Sequence, residues 1–336
     1  MVPVTSSCPR TSAERSSPAA ITTVAAVVVA YRPDIDALCR NLDALAGQVA
    51  RRIVVVNGGL DAVAEDALRT VLGDDDVLAI NLANAGLAAA QNLGIRHAVA
   101  AQVDAVLLLD QDSAATPGMV AALSSALDRL HADGRRPAAI GPSHAAPDGA
   151  GRWPGFVRIR PWGMTRVRAA TPDTPVACDF LIASGSLIPL AVLDVVGLMR
   201  AELFIDHIDT EWCLRAQRSG YQCFGLEAAR LDHLLGERRL RLWAGRWRQI
   251  ALHRPERYYY MLRNSLWLYR EGGLRWDWKL ADALRTLRLF ALMGLVGHDR
   301  RAFWSWVRRG VRDGRRSGLC AIEWPAAARP PSPPGG

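Results

Sequence analysis

The first half of the chain alternates short apolar runs with helical segments, and that alternation limits the possible folds more than any other feature. Residues 24–30 (VAAVVVA) and 105–109 (AVLLL) contain no polar side chain, the pattern of strands buried on both faces. Residues 52–56 and 77–81 read as two further strands. Between them the spacing predicts helices over 34–47, where Leu38, Leu42 and Leu45 share one face, over about 61–72 and over 86–101. Thr116 and Pro117 read as the N-cap and first residue of another helix. Strands alternating with helices over short connections imply a mostly parallel sheet covered on both faces. Such sheets bind ligands beyond the carboxyl ends of their strands. The polar residues there are Tyr31, Asn57, Asn84, Asp110 and Asp112. Past Gly141 the pattern loosens. Residues 141–176 read as a substrate-facing loop region, 178–190 as containing a strand with Ser184-Gly185-Ser186 inside it, and 209–220 as a helix with an acidic first turn.

With 336 residues, 50% hydrophobic and 22% charged, the chain can bury a core, and whole-chain disorder is excluded. The apolar run from Ile21 to Tyr31 is about half of the roughly 20 residues a membrane span needs. No small-residue cleavage site follows it, which argues against a signal peptide. Residues 1–20 read as a disordered leader and 317–336 as a flexible tail. The six cysteines form no C-x-x-C pair and read as small buried hydrophobes in a reducing, cytoplasmic setting. Charge is informative once divided. Residues 236–316 hold 20 basic and 7 acidic residues, net +13, which leaves the remainder of this net +8 chain at −5. Seven Trp lie in the same stretch: Trp243, Trp247, Trp267, Trp276, Trp278, Trp304 and Trp306. Three basic helices are expected there, over about 256–270, 276–296 and 300–311. Arg on one face with Trp and Leu on another suits a helix lying on an anionic membrane surface, peripheral on the inner face of the plasma membrane. A helical cap packed on the catalytic domain is the alternative. Binding of nucleic acid through the same charge is not expected.

Two places carry chemistry. In Leu107–Ser113 (LLLDQDS), Asp110 and Asp112 end a buried strand and could grip a hard divalent cation; solvated loop acids are the plain alternative. In 206–215 (DHIDTEWCLR), Asp209 begins a helix, where amide donors and the helix dipole should hold its carboxylate ionised, ready to accept a proton. An ordinary N-cap would look the same. The small-residue segment 84–94 (NAGLAAAQNLG) allows close approach of a ligand or of another backbone. His233 is a lone candidate for a metal or phosphate contact.

Seven segments in order, from about Val24 to Arg270, resemble the inverting family 2 glycosyltransferases of the GT-A fold, and among them bacterial rhamnosyltransferases. They are VVVAYRPD (27–34), NAGLAAAQNLGI (84–95), LLLDQDS (107–113), FLIASGSLI (180–188), LFIDHIDTEWCLRAQRSGY (203–221), HLLGER (233–238) and RYYYMLRNS (257–265). The resemblance implies an α/β GT-A nucleotide-diphospho-sugar transferase fold over 21–235. Its nucleotide-sugar half would be about 21–115 and its acceptor half 116–235, with the basic helical extension following. It implies Asp209 as general base, Asp112 and His233 on Mn²⁺ or Mg²⁺, and Asp110 towards the nucleotide. Ala30, Tyr31, Asn57, Asn84, Gly86, Asn92 and Gly185 would line the nucleotide-sugar site. Ile208 stands where the family usually has Glu, and Val56 where it commonly has an Asp that reads the pyrimidine. The D-Q-D variant and the D-T-E-W-C-L-R-A run point to dTDP-L-rhamnose as donor. The acceptor would be a glycan or lipid-linked sugar of cell-surface polysaccharide biosynthesis.

Overall fold

The computed structural model describes residues 20–145, 155–233, 239–243, 247–251, 254–296 and 300–316. The expected leader and tail lie outside them, apart from residue 20. The elements run β1 (Val24–Ala30), α1 (Ile35–Asp43), β2 (Arg51–Asn57), α2 (Ala62–Val71), β3 (Val77–Asn81), α3 (Leu87–Ala100), β4 (Ala105–Asp110) and β5 (Ser113–Ala115). Then come α4 (Met119–Ala132), β6 (Pro137–Ala145), β7 (Phe156–Arg160), β8 (Gly163–Val167), β9 (Val176–Cys178), β10 (Leu187–Pro189), α5 (Leu190–Val196) and α6 (Ile208–Arg218). The chain continues through β11 (Gln222–His233), β12 (Arg239–Trp243), β13 (Trp247–Ala251), α7 (Pro255–Arg270), α8 (Trp276–Val296) and α9 (Arg300–Gly314).

The main sheet is ordered β3-β2-β1-β4-β10-β6-β11-β5, with β9 also on β11. β1 to β4 are mutually parallel, and β6 is parallel to β11; β10 runs against both its neighbours. The period of two along β1 explains why helices cover both faces. Ala25, Val27 and Val29 enter a core shared with α3, α5 and α6. Val24, Ala26, Val28 and Ala30 enter a second core, shared with α1, α2 and α4. Gly94 lets α3 lie against β1, because a Cβ there would collide with Val27.

Several expectations change. The residue before α4 is Gly118, at φ +77°, not Thr116, whose hydroxyl instead donates to the Arg230 carbonyl. Ser184-Gly185-Ser186 forms the turn that enters β10 rather than lying inside a strand. Within 141–176 the chain holds the end of β6 and the antiparallel β7–β8 hairpin. The extension begins with a second hairpin, β12–β13, before its three helices. α7 and α8 also share the main core: Leu268 of α7 and Trp278 of α8 are buried in it with Trp212, as is Leu274 between the two helices. Among the described residues no helix is long and apolar enough to cross a membrane.

Candidate active site

The carboxyl end of β4 is organised by a short turn. Asp110 ends the strand, and its amide donates to Ser184 Oγ at 3.1 Å. Ser184 is fully buried, and its hydroxyl also lies 2.7 Å from Ser113 Oγ. His144 Nε2 sits 2.9 Å from the Ser184 carbonyl. Gly185, at φ +87°, makes the turn possible: a Cβ there would stand 2.5 Å from Pro142 Cγ. Between the two acids, Gln111 accepts from the Tyr31 amide at 2.7 Å, and its carbonyl accepts from Asn41 at 2.8 Å. The acidic loop is thereby tied to the end of β1. Asp112 is half-buried in the turn before β5. β5 pairs with β11 so that Ser113 faces His233 across the ladder. Residues 120 positions apart in sequence thus become near neighbours; the His233 side chain lies outside the described residues.

Asp209 is the second residue of α6, and His207 is the residue before the helix. Its Oδ1 accepts from the Thr210 amide at 2.8 Å. Burial, the largest influence, pushes its carboxyl above the usual carboxylate range; backbone bonds from Thr210 and Ala183 and the nearby His207 pull the other way. The sequence expectation weighed the amide donors and the helix dipole; in the structure desolvation acts against them. A small cavity beside Asp209 is lined by Gln91, Ser186, Met199 and Trp212. Gln91 Oε1, in a side chain 3% exposed, has no partner among the described residues. One turn lies between the two acidic centres: Ala183 lines the same cavity as Asp209, and Ser184 accepts from the Asp110 amide.

Several expected contact residues are engaged inside the protein. Asn57 is 2% exposed; its amide donates to Asn84 Oδ1 at 2.9 Å, and its oxygen accepts from the Ala85 amide. Asn84 also accepts from the Gly86 amide. Together they shape the loop that starts α3. Asn92 exchanges two hydrogen bonds with the Met199 backbone, at 2.8 and 3.0 Å. Gly86 is the point where the 204 loop crosses, with the Leu87 amide donating to the Phe204 carbonyl at 2.7 Å. Ala30 is fully buried opposite Val56. The Glu-Trp-Cys-Leu-Arg run anchors α6. Glu211, 1% exposed, pairs with Arg215 and Arg200, and Arg215 reaches the Val196 and Leu198 carbonyls. Trp212 donates to the Gly197 carbonyl.

Sequence reading missed Ser184, Gln111 and His207 as organisers. All three sit inside segments it quoted, but only pairing between elements distant in sequence assigns them a task. Among the described residues, no group of three or more His, Cys, Asp or Glu is placed to hold a metal.

An acidic pair at the carboxyl end of a parallel strand, with a third acid at a helix start across the turn, sits in a GT-A arrangement. Residues 26–182 match the family model "Glycosyl transferase family 2". Over 252 residues the chain is 29% identical to the dTDP-rhamnosyl transferase RfbF of Shigella flexneri, covering 74% of this chain and 80% of that one. A crystal structure of GalNAc-T7 with UDP, GalNAc and Mn²⁺ superposes with a TM-score of 0.55 at 14% identity, covering 83% of this chain but 57% of that one. S. aureus TarS 1–349 in complex with UDP-GlcNAc superposes at 0.53, also at 14% identity, over 86% of this chain and 79% of that one. These two share the fold. Residues 26–182 thus form a family 2 glycosyltransferase domain, and with the rhamnosyl transferase relative this supports an inverting glycosyltransferase.

Proposed function

We propose that the protein transfers L-rhamnose from dTDP-L-rhamnose, with inversion, to a glycan or lipid-linked acceptor in cell-surface polysaccharide biosynthesis. The observation that carries the reading is the Ala183-Ser184 turn: Ala183 lines the small cavity beside Asp209, and Ser184 accepts from the Asp110 amide at the end of β4. Donor diphosphate and acceptor hydroxyl would meet there. The similarity to the RfbF transferase supports the choice of sugar.

Asp209 would take the proton from the acceptor hydroxyl as its oxygen forms a bond to the donor C1, while the C1–O bond to the diphosphate breaks on the opposite face. Burial raises the affinity of Asp209 for that proton, the direction that favours a general base. Asp110 and Asp112 offer hard oxygen donors at a half-buried strand end. That set fits Mn²⁺ or Mg²⁺, which take one or two carboxylates and complete their shell with phosphate oxygens. His233, whose backbone pairs with Ser113 in the β5–β11 ladder, would be the third contact. When bound, the cation would neutralise charge on the leaving diphosphate. The backbone at Tyr31, held by Gln111, would face the nucleotide base.

The basic extension would rest on an anionic membrane. Supporting this, Leu287, Leu295, Trp276 and Trp304 are exposed, with Arg288 and Arg300 exposed near them. Trp278 is fully buried and Trp267 packs on the core, so neither belongs to that surface. Trp243 and Trp247 have side chains outside the described residues.

A donor screen tests the reading. Thermal protection and transfer should be strongest with dTDP-L-rhamnose plus Mn²⁺ or Mg²⁺ and should disappear with EDTA or in Asp112→Ala. Efficient transfer from UDP-glucose with none from a rhamnose donor would refute the sugar assignment. Full activity in EDTA would refute the metal.

A further inference from the structure

The segment 203–207, which leads into the helix of Asp209, is held in an unfavourable conformation by α7. Phe204, Asp206 and His207 all have left-handed backbones, with φ of +64°, +65° and +63°. Non-glycine residues adopt this region only where the surroundings over-determine it. Asn264, fully buried in α7, donates to the carbonyls of Leu203, Ile205 and Asp206 at 2.9, 2.8 and 3.0 Å. Arg263 donates to the Glu202 and Leu203 carbonyls, and Arg257 pairs with the Asp206 carboxylate.

The next residue of α7 extends this clamp into a chain of hydrogen bonds. Ser265 Oγ donates to Asp282 Oδ2 of α8 at 2.7 Å and lies 2.9 Å from His207 Nε2. Since the Ser265 proton goes to Asp282, its oxygen accepts from His207 Nε2–H. Asp282 is 1% exposed and is also held by Tyr269 at 2.7 Å and Arg285 at 2.8 Å. The edge of Trp278 closes the other side of the imidazole, with ring centroids 6.0 Å apart. A carboxylate this deep in a helical extension is unusual unless it is paired and hydrogen-bonded. Here its partners converge on the residue two positions before Asp209.

We propose that Asp282, acting through Ser265 and His207, is a positioning residue for the catalytic base, so that α7 and α8 complete the active site. The carboxylate fixes the ring tautomer of His207, the ring fixes the left-handed turn that begins α6, and that turn aims Asp209. The extension is then part of the catalytic machinery whatever else its exposed face touches. The inference rests on Asp209 being the base.

The test compares Ser265→Ala and Asp282→Asn with wild type and Asp209→Asn, reading kcat, donor KM, donor binding by thermal protection, and melting temperature. Displacing the base by a fraction of an ångström should lower kcat about tenfold to a hundredfold. Donor KM and donor binding should stay within a few-fold, in Ser265→Ala above all, because that variant keeps Asp282 paired with Tyr269 and Arg285. Ser265→Ala in the Asp209→Asn background should cause no further loss. Wild-type kcat in folded Ser265→Ala and Asp282→Asn, or a loss of donor binding equal to the loss of kcat, overturns the proposal. High activity of Asp209→Asn instead overturns the base assignment and is read separately from the effect of Ser265.

Discussion

Replacing Gly86 by alanine decides whether that position is a crossing point of two backbones or a ligand contact. Gly86 has φ +90° and ψ 155°, a region nearly restricted to glycine, where another residue carries about 1–3 kcal/mol of strain. The added Cβ would stand 2.6 Å from Phe204 Cδ2 and 2.9 Å from Phe204 Cα. The ring could turn, but it is stacked on Tyr260 at 4.9 Å. The Cα cannot withdraw without breaking the Leu87–Phe204 hydrogen bond. Overpacking of this kind costs about 1–3 kcal/mol, so the two effects together reach about 2–6 kcal/mol. In a domain of this size each kcal/mol lowers the melting temperature by about 2–4 °C. Gly118→Ala is the control: φ is +77° and ψ 1°, with nothing within 4 Å of the new Cβ. It should lose only the left-handed backbone penalty, about 1–2 kcal/mol. Thermal and urea unfolding followed by circular dichroism measures both variants. If Gly86→Ala unfolds no earlier than Gly118→Ala, the contact with Phe204 does not matter and the packing argument is wrong.

Three further outcomes are expected. Asp209→Asn should reduce turnover by about 10²- to 10⁴-fold while donor binding, read by thermal protection, stays within a few-fold; near-normal turnover excludes the base assignment. Hydrogen bonds and nearby charges hold the buried Asp282 carboxyl down at about 2. Its stabilisation is therefore complete above the ordinary carboxylate range and disappears as pH falls from about 4 to about 2, on the order of 2 kcal/mol. The stability gap between wild type and Asp282→Asn should close over that interval, and a constant gap contradicts the pairing. The full chain should float with vesicles containing anionic lipid and release them as salt rises; equal flotation on neutral vesicles counts against a charge-driven surface.

The expected β1, β3, α7 and α8 lie within a residue of where the structure places them, because each carries a strong local signal. β1 is an unbroken apolar run, and the helices have clear periodicity and turn residues at their ends. Where the deciding partner is distant in sequence, local signals mislead. Thr116 looks like a helix cap, yet its hydroxyl is taken by Arg230 on β11. Ser184 lies in an apolar stretch that reads as strand, yet the strands on either side, β4 and β6, turn it into a hub.

The sequence by itself determined the class of fold and singled out three candidate acids, Asp110, Asp112 and Asp209, since strand ends, helix starts and residue chemistry are local properties. Tertiary structure alone decided which polar residues face a ligand and which hold the protein together. Asn57 and Asn92 read as nucleotide-sugar contacts in sequence, and in the structure both hydrogen-bond buried backbone. Asp282 shows the reverse. Its place on α8 beside Leu280 and Leu284 reads as a charge outside an apolar stripe, yet burial beneath α7 makes it the anchor of a chain ending beside Asp209. The physical reason is the same throughout. A polar group removed from water must find a partner, and that partner is chosen by packing between elements, which no local pattern records.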